Sequence, residues 1–224
     1  MLAPSLCRRL VAEGLGTALL LATVIGSGIM GERLADGNLA LALLANSLAT
    51  GCMLAALIAV LGPLSGAHFN PAVSMAMAWQ RQLPWRELLP YVLVQIAAAF
   101  AGVAAAHLMF DLPVFFASTH GRTGNAQWWS EFVATFGLLS IIWGGTRQRL
   151  AATPYLIAAY ITAAYWFTAS TSFANPAVTL ARAASNTFAG ITPADSVGFI
   201  FAQFAGALIA TGLWQWLVPA RDAS

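Results

Sequence analysis

The 224-residue chain is 59% hydrophobic and only 8% charged, and its mean hydropathy is +0.75. Because soluble domains carry about 25% charged residues, this composition excludes an ordinary soluble domain and indicates an integral membrane protein. The formal charge is only +2, and no basic cluster with interleaved aromatic residues points to a nucleic-acid partner. No histidine or cysteine pair has metal-ligand spacing, so neither a metal nor a cofactor is expected.

Six stretches of the chain are long and apolar enough to cross a bilayer as helices. They cover approximately residues 10–31, 39–61, 88–110, 128–145, 151–171 and 195–218. The first stretch could be taken for a secretion signal, but its length favours a retained transmembrane helix. Six crossings place both termini on one side of the membrane.

The arginines are distributed unevenly between the two sides that this layout creates. Seven of them share the side of the termini: Arg8, Arg9, Arg81, Arg86, Arg147, Arg149 and Arg221. Only Arg33, Arg122 and Arg182 fall on the other side. The positive-inside rule therefore predicts a multi-pass protein of the cell (plasma) membrane with both termini in the cytoplasm.

Two short motifs, Asn70-Pro71-Ala72 and Asn175-Pro176-Ala177, each follow a strongly apolar stretch. Asn is a good N-cap and Pro is well tolerated at the first helical position, so each motif predicts a helix start. About ten residues of helix cover roughly 15 Å, which is half of a hydrocarbon core of about 30 Å. Two such half-helices, entering from opposite faces, would bring both N-termini and both Asn amides together near the midplane.

The two halves of the chain, about 8–110 and 126–218, repeat one another. Glu13 corresponds to Glu131, Asn70 to Asn175, and Gln95 to Gln203. Three spans per half is an odd number, so the second half must be inserted upside down. An inverted repeat with interrupted helices indicates a solute or ion site at the midplane of one channel domain, residues 1–224.

The run "SGAHFNPAVS" and the second Asn-Pro-Ala motif resemble those of the aquaporin (major intrinsic protein) family. The resemblance covers about Glu13 to Trp216. It implies an all-α membrane protein, an aquaporin-like bundle of six transmembrane helices plus two half-helices. It also implies a homotetramer in the lipid bilayer, with a pore for small neutral solutes in each chain. In such a pore Asn70 and Asn175 donate hydrogen bonds to one passing solute oxygen, without a cofactor.

Three intramembrane polar residues have more than one interpretation. Glu13 and Glu131 are costly in a membrane unless they are hydrogen-bonded, and either could relay protons. The family resemblance implies instead that they accept hydrogen bonds from the loop before each half-helix. His68, two residues before Asn70, is expected to brace its loop, with or without lining the pore.

The second half departs from the family pattern immediately after its motif. Most similar proteins have Arg at that place, whereas this chain has Val178. Carrying over the other constriction positions by their spacing gives Thr50, Ala163 and Ser172, which predict a wide, uncharged selectivity filter. A register slip of one helical turn would instead bring Trp166 or Phe167 into the ring.

Arg182 lies four residues beyond Val178, hence on the same helix face and about 6 Å further outward. We expect it either to line the outer vestibule or to extend toward loop carbonyls or water.

These features predict a passive channel for water, glycerol-like polyols and other small uncharged solutes. The Val that replaces Arg resembles a bacterial branch associated with arsenic resistance, which makes arsenite and its methylated forms candidate solutes. The alternatives are a water-selective aquaporin, a proton-coupled secondary transporter and a structural membrane protein with a closed pore. An enzyme is disfavoured, because no nucleophile–base pair can be assembled from the sequence.

Overall fold

A computed structural model describes residues 4–218, which form a bundle of long helices around two short ones. The helices are α1 Leu6–Leu34, α2 Leu39–Ser65, α3 Pro71–Trp79, α4 Trp85–Met109, α5 Asn125–Arg147, α6 Thr153–Phe167, α7 Pro176–Arg182 and α8 Ser196–Leu217. A single 3-10 turn, Pro193–Asp195, leads into α8. The predicted all-α fold with two half-helices, α3 and α7, is confirmed.

Four of the described helical segments are long and apolar enough to cross a membrane by length and composition: Leu6–Leu34, Leu39–Ser65, Trp85–Met109 and Pro193–Leu217. The predicted span 151–171 is shorter in the structure, because the helix ends at Phe167. Fifteen residues of helix extend only about 22 Å, so the chain completes this part of the bundle as irregular backbone. Such backbone is tolerated at membrane depth where protein surrounds it.

Each half of the chain packs its first helix against its last one. Helix α1 lies along α4 in the first half, as α5 lies along α8 in the second half. Glycines permit close contact in both pairs. A Cβ atom at Gly102 would lie 2.3 Å from the carbonyl oxygen of Ala18, and one at Gly206 would lie 2.5 Å from that of Phe132. The long helices thus touch through their backbones.

Polar contacts tie several helix ends together on the face where α1 begins. Arg9 at the start of α1 forms an ion pair with Glu87 at the start of α4, at 2.7 Å. Arg147 at the end of α5 donates to the carbonyl oxygen of Trp214 near the end of α8 and to Gln80 after α3. Arg33 and Arg122 lie at the opposite end of the helices, and Arg221 lies outside the described residues.

Candidate functional site

The two short helices begin in the same way. Asn70 accepts a hydrogen bond from the backbone N–H of Ala72 at 2.9 Å, and Asn175 accepts one from Ala177 at 3.0 Å. Proline occupies the first helical position after each Asn. Each Asn therefore caps its own helix through its side-chain oxygen, which leaves the side-chain nitrogen free to donate.

The side-chain nitrogens join the two half-helices to each other. Nδ2 of Asn70 donates to the carbonyl oxygen of Ala174, and Nδ2 of Asn175 donates to that of Phe69, both at 2.7 Å. The half-helices therefore meet by their N-termini. A primary amide has two N–H groups, so each Asn keeps one donor beyond this cross-link.

The loops before the half-helices share an unusual backbone pattern. Ala67 and Phe69 have φ angles of +50°, and Ser172 and Ala174 have φ angles of +51° and +50°. These residues stand three and one positions before each Asn. Non-glycine residues in this left-handed region cost about 1–3 kcal/mol each and persist only where the surroundings fix them. The same strain at equivalent positions indicates a shared requirement on both loops.

Glu13 supplies part of what fixes the first loop. It is fully buried, and its Oε1 accepts hydrogen bonds from the backbone N–H of His68 at 2.9 Å and the hydroxyl of Ser65 at 2.7 Å. Its Oε2 accepts from the backbone N–H of Phe69 at 2.7 Å and from Gln95 at 2.9 Å. Four donors thus satisfy one buried carboxylate.

Glu131 holds the second loop by the same arrangement. It is also fully buried, and it accepts from the backbone N–H groups of Phe173 and Ala174, both at 2.8 Å. Gln203 donates to Glu131 at 2.6 Å and to the hydroxyl of Thr179 at 2.8 Å. In the first half, Gln95 donates in the same way to Glu13 and to the hydroxyl of Ser74. Glu131 thus accepts three hydrogen bonds and Glu13 four, most of them from the loops, which favours bracing over proton relay.

His68 is a polar side chain of the first loop that borders the space between the helices. Its Nδ1 lies 3.1 Å from the hydroxyl of Ser74, and its ring lies 5.4 Å from that of Tyr91. The ring also lines a cavity between the helices. Phe173, two residues before Asn175, occupies the equivalent place in the second loop and lines the same cavity.

This cavity has a volume of about 340 Å³ and passes both half-helix junctions. Its wall includes Pro63 and Pro154 toward one face of the bundle, Asn70 and Asn175 in the middle, and Arg182 toward the other face. Both Asn side chains therefore border this cavity near its middle.

Three of the four positions expected in the filter face this cavity. Thr50, Ser172 and Val178 line it and are only 3–5% exposed. The expectation for Ala163 is wrong, because this residue is exposed on the outside of α6. The alternative register is wrong as well, since Trp166 and Phe167 are 47% and 57% exposed on the exterior.

Tyr165 takes the place expected for Ala163. It is buried against the cavity, and its hydroxyl donates to the hydroxyl of Thr50 at 3.3 Å. This end of the cavity is therefore narrower than a ring of small side chains would make it. Sequence spacing missed Tyr165, because spacing assumes a regular path between α6 and Asn175.

Arg182 also lies in the cavity wall rather than at the molecular surface. It is 2% exposed, its guanidinium carbon lies 3.3 Å from the ring centre of Phe173, and its Nε donates to the carbonyl oxygen of Ala189. The guanidinium carbon of Arg122 lies 5.1 Å from the centre of the same ring. Burial lowers the pKa of Arg122, which belongs to the connection after α4. Two guanidinium groups therefore lie close to the ring of Phe173.

Within residues 4–218, no group of three or more His, Cys, Asp or Glu side chains could hold a metal ion. The functional features that sequence reasoning missed are Tyr165 and the ring of Phe173. The repeat could have revealed Phe173, because it stands where His68 stands in the first half.

Comparison with known proteins gives consistent results for sequence and structure. The model of the family described as major intrinsic protein matches residues 2–168. The aquaglyceroporin AqpS of Rhizobium meliloti (strain 1021) is 57% identical over 217 residues, covering 96% of this chain and 93% of AqpS. The aquaporin NIP3-1 of Zea mays is 31% identical over 142 residues, covering 62% of this chain and 46% of the maize protein.

Among solved structures, the aquaglyceroporin from Plasmodium falciparum superposes with a TM-score of 0.78 at 18% identity. The superposition covers 96% of this chain and 98% of the other. At this identity the likeness supports the fold alone.

Proposed function

Because the chain belongs to the major intrinsic protein family, whose aquaglyceroporins are channels and not enzymes, we propose that it is a passive channel for small uncharged solutes such as glycerol. The whole chain would form one channel domain. The solutes would pass along the cavity between α3 and α7.

The observation that carries this proposal is the reciprocal pairing of Asn70 and Asn175. Each Asn uses one N–H on the carbonyl before the other Asn and keeps one N–H for a ligand. Two such donors at one level of the cavity suit a hydroxyl or carbonyl oxygen. They also orient a water molecule so that it cannot relay a proton, while the two helix N-termini disfavour cations.

The side chains that we propose as the filter are Thr50, Tyr165, Ser172 and Val178. Three of them are small, and Tyr165 turns its hydroxyl toward Thr50. Val178 leaves space beside the second motif that a longer side chain would fill. This arrangement supports polyol-sized solutes, although the ring is narrower than the sequence predicted.

Arsenite and its methylated forms belong to the same proposal. Trivalent arsenic hydroxide is neutral and carries hydroxyl groups, so it presents the same chemistry as glycerol to the paired Asn donors. A filter that admits glycerol past Val178 would therefore admit this solute as well.

Hydrogen bonding favours a channel over a proton-coupled transporter. Every oxygen of Glu13 and Glu131 accepts at least one hydrogen bond from a neighbouring side chain or loop N–H group. A relay carboxylate must gain and lose a proton, and either event would break the bracing of a strained loop.

We further propose that the channel is a homotetramer of the plasma membrane with both termini in the cytoplasm. The unequal distribution of arginines supports this orientation. Exposed large hydrophobic side chains on several helices suit lipid or neighbouring subunits, among them Leu19, Leu48, Leu93, Trp166 and Phe201.

The proposal is tested by stopped-flow permeability of proteoliposomes to water, glycerol and arsenite. We expect flux of all three solutes above that of empty liposomes. Val178→Arg should lower glycerol and arsenite flux about tenfold, equal to about 1.4 kcal/mol of barrier, and spare water. The control is Ala163→Val, which changes a similar side chain on the exterior of α6.

Three outcomes would decide against the proposal. Water flux without glycerol flux would identify a water-selective aquaporin. Saturable flux that follows a pH gradient would identify a coupled transporter. No flux above empty liposomes would identify a closed structural protein.

A further inference from the structure

We propose that Arg182 supplies the positive charge of the filter from one helical turn beyond Val178, so that the channel accepts neutral oxygen-bearing solutes and rejects cations of the same size. This inference rests on the proposed function and concerns its selectivity.

The geometry of α7 brings this side chain back toward Val178. Residues four apart lie on one face of a helix, about 6 Å apart along its axis. Helical side chains lean toward the N-terminus of their helix, and therefore cover the preceding turn. The long side chain of Arg182 can thus bring its guanidinium group to the level that the short side chain of Val178 leaves open.

The guanidinium group of Arg182 is fixed by two contacts, but most of its N–H donors have no partner among the described residues. Its Nε donates to the carbonyl oxygen of Ala189, and its central carbon lies 3.3 Å from the ring centre of Phe173. The two terminal nitrogens have no hydrogen-bond partner among the described residues. Since a guanidinium group has five N–H donors, four remain for a ligand. Arg182 lines the cavity, and we infer that these donors face a passing solute.

The neighbouring Arg122 differs in this respect. Its Nε donates to the carbonyl oxygen of Gly190 at 2.8 Å, and its Nη1 to that of Ser170 at 3.2 Å. These contacts fasten Arg122 to the loops around the site. It therefore adds charge to the site and positions Phe173, while Arg182 offers the donors.

Neither guanidinium group forms a direct ion pair with any carboxylate that the structure describes: Asp195 accepts instead from the backbone N–H of Arg122 at 2.7 Å, and Glu131 from that of Phe173 at 2.8 Å. Within the described part of the chain, the one ion pair with a nitrogen–oxygen distance of 4.0 Å or less joins Arg9 and Glu87, on the face where α1 begins. Of these charged groups only the guanidinium group of Arg182 lies in the cavity wall, so it raises the electrostatic potential there, because a low-dielectric site screens charge weakly. A cation must overcome this potential, whereas a neutral solute gains hydrogen bonds.

Urea and guanidinium provide a matched pair of probes, because they have nearly the same shape and differ in charge. Both fluxes would be measured in proteoliposomes that hold the full-length protein. We expect the wild type to pass urea and exclude guanidinium. Arg182→Gln should raise the ratio of guanidinium flux to urea flux about tenfold, whereas Arg182→Lys should continue to exclude guanidinium.

Arg33→Gln is the control, because Arg33 also lies over an aromatic ring, that of Phe110 at 5.1 Å, but on the exposed end of α1. It should leave both fluxes unchanged. If Arg182→Gln does not fold, Arg182→Met offers a neutral side chain of similar length.

The inference is overturned if a neutral variant passes urea and still excludes guanidinium as the wild type does. It is also overturned if the wild type admits guanidinium as readily as urea. A wild type that passes neither glycerol nor urea would refute the proposed function instead.

Discussion

The hydroxyl group of Tyr165 lies 3.3 Å from that of Thr50, and this contact joins α6 to α2 beside the cavity. It puts an aromatic ring where sequence spacing had placed Ala163. The width of the channel at this level therefore depends on one side chain of α6, and that dependence can be measured.

Shortening Tyr165 should widen the filter. We expect Tyr165→Ala to raise the permeability ratio of erythritol to glycerol about fivefold, which corresponds to about 1 kcal/mol of barrier. Tyr165→Phe removes the hydrogen bond and keeps the ring, so its ratio should stay close to that of the wild type. Polyol-induced swelling of proteoliposomes gives the ratio. An unchanged ratio in Tyr165→Ala, with Ala163→Val as exterior control, would contradict the assignment.

Replacing Glu131 by Gln should destabilise the protein. The new amide would present N–H groups to the backbone N–H groups of Phe173 or Ala174, leaving at least one buried donor without an acceptor. Such a loss costs about 1–3 kcal/mol. Thermal unfolding in detergent measures the effect, and Glu32→Gln on the exposed end of α1 serves as control. Equal stability of the two variants would show that Glu131 does not brace its loop.

The two buried carboxylates also predict how flux responds to pH gradients. Because every oxygen of Glu13 and Glu131 accepts at least one hydrogen bond that braces a loop, we expect neither to take part in transport. Glycerol flux into proteoliposomes should be equal with and without an imposed pH gradient. Flux that rises with an inward proton gradient would restore the relay interpretation.

Adding a methyl group at Gly206 should force α8 away from α5. The new Cβ atom would lie 2.5 Å from the carbonyl oxygen of Phe132 and 2.9 Å from the backbone nitrogen of Phe136. Overpacking of this kind costs about 1–3 kcal/mol. Gly212→Ala is the matched control on the same helix, because its nearest neighbour would be Trp79 at 3.8 Å. The melting temperature should fall for Gly206→Ala alone, and a parallel fall in both would argue against a specific close contact.

Asn175→Ala should impair both folding and conduction. It removes the cap on Ala177 and the donor to Phe69, and caps of this type contribute about 0.5–2 kcal/mol. Glycerol flux per folded protein should fall about tenfold, as one of two solute donors is lost. Asn186→Ala, in an exposed loop where Asn186 accepts from Thr119, should conduct normally. Normal conduction by Asn175→Ala would remove the main support for the proposed function.

Much of this architecture was predictable from the sequence because polar and helix-capping residues are rare in an apolar chain. Glu13 and Glu131 stand out in apolar helices, and each Asn-Pro pair marks a helix start by local chemistry. These signals are local or repeat at matching places, so they predicted the half-helices and the inverted halves without knowledge of distant contacts.

The register of α6 was not predictable, and the reason lies in the loop that follows it. Thr171, Ser172 and Ala174 adopt positive φ angles, although none is glycine and nothing in their sequence signals it. The chain between α6 and Asn175 therefore departs from the regular path that spacing assumes, and Tyr165 rather than Ala163 lines the cavity. The contact between Arg182 and Phe173 was equally hidden, because it depends on where this loop places the ring.

The cross-links between the two Asn residues also constrain how a cell can make this protein. The acceptor for Asn70 is 104 residues away along the chain, and that for Asn175 is 106 residues away. While the ribosome has delivered only the first three long helices, Glu13 can already hold the strained loop, but Asn70 lacks its acceptor in the second half. The wall of the cavity, which both halves build, is thus completed only after synthesis of the second motif.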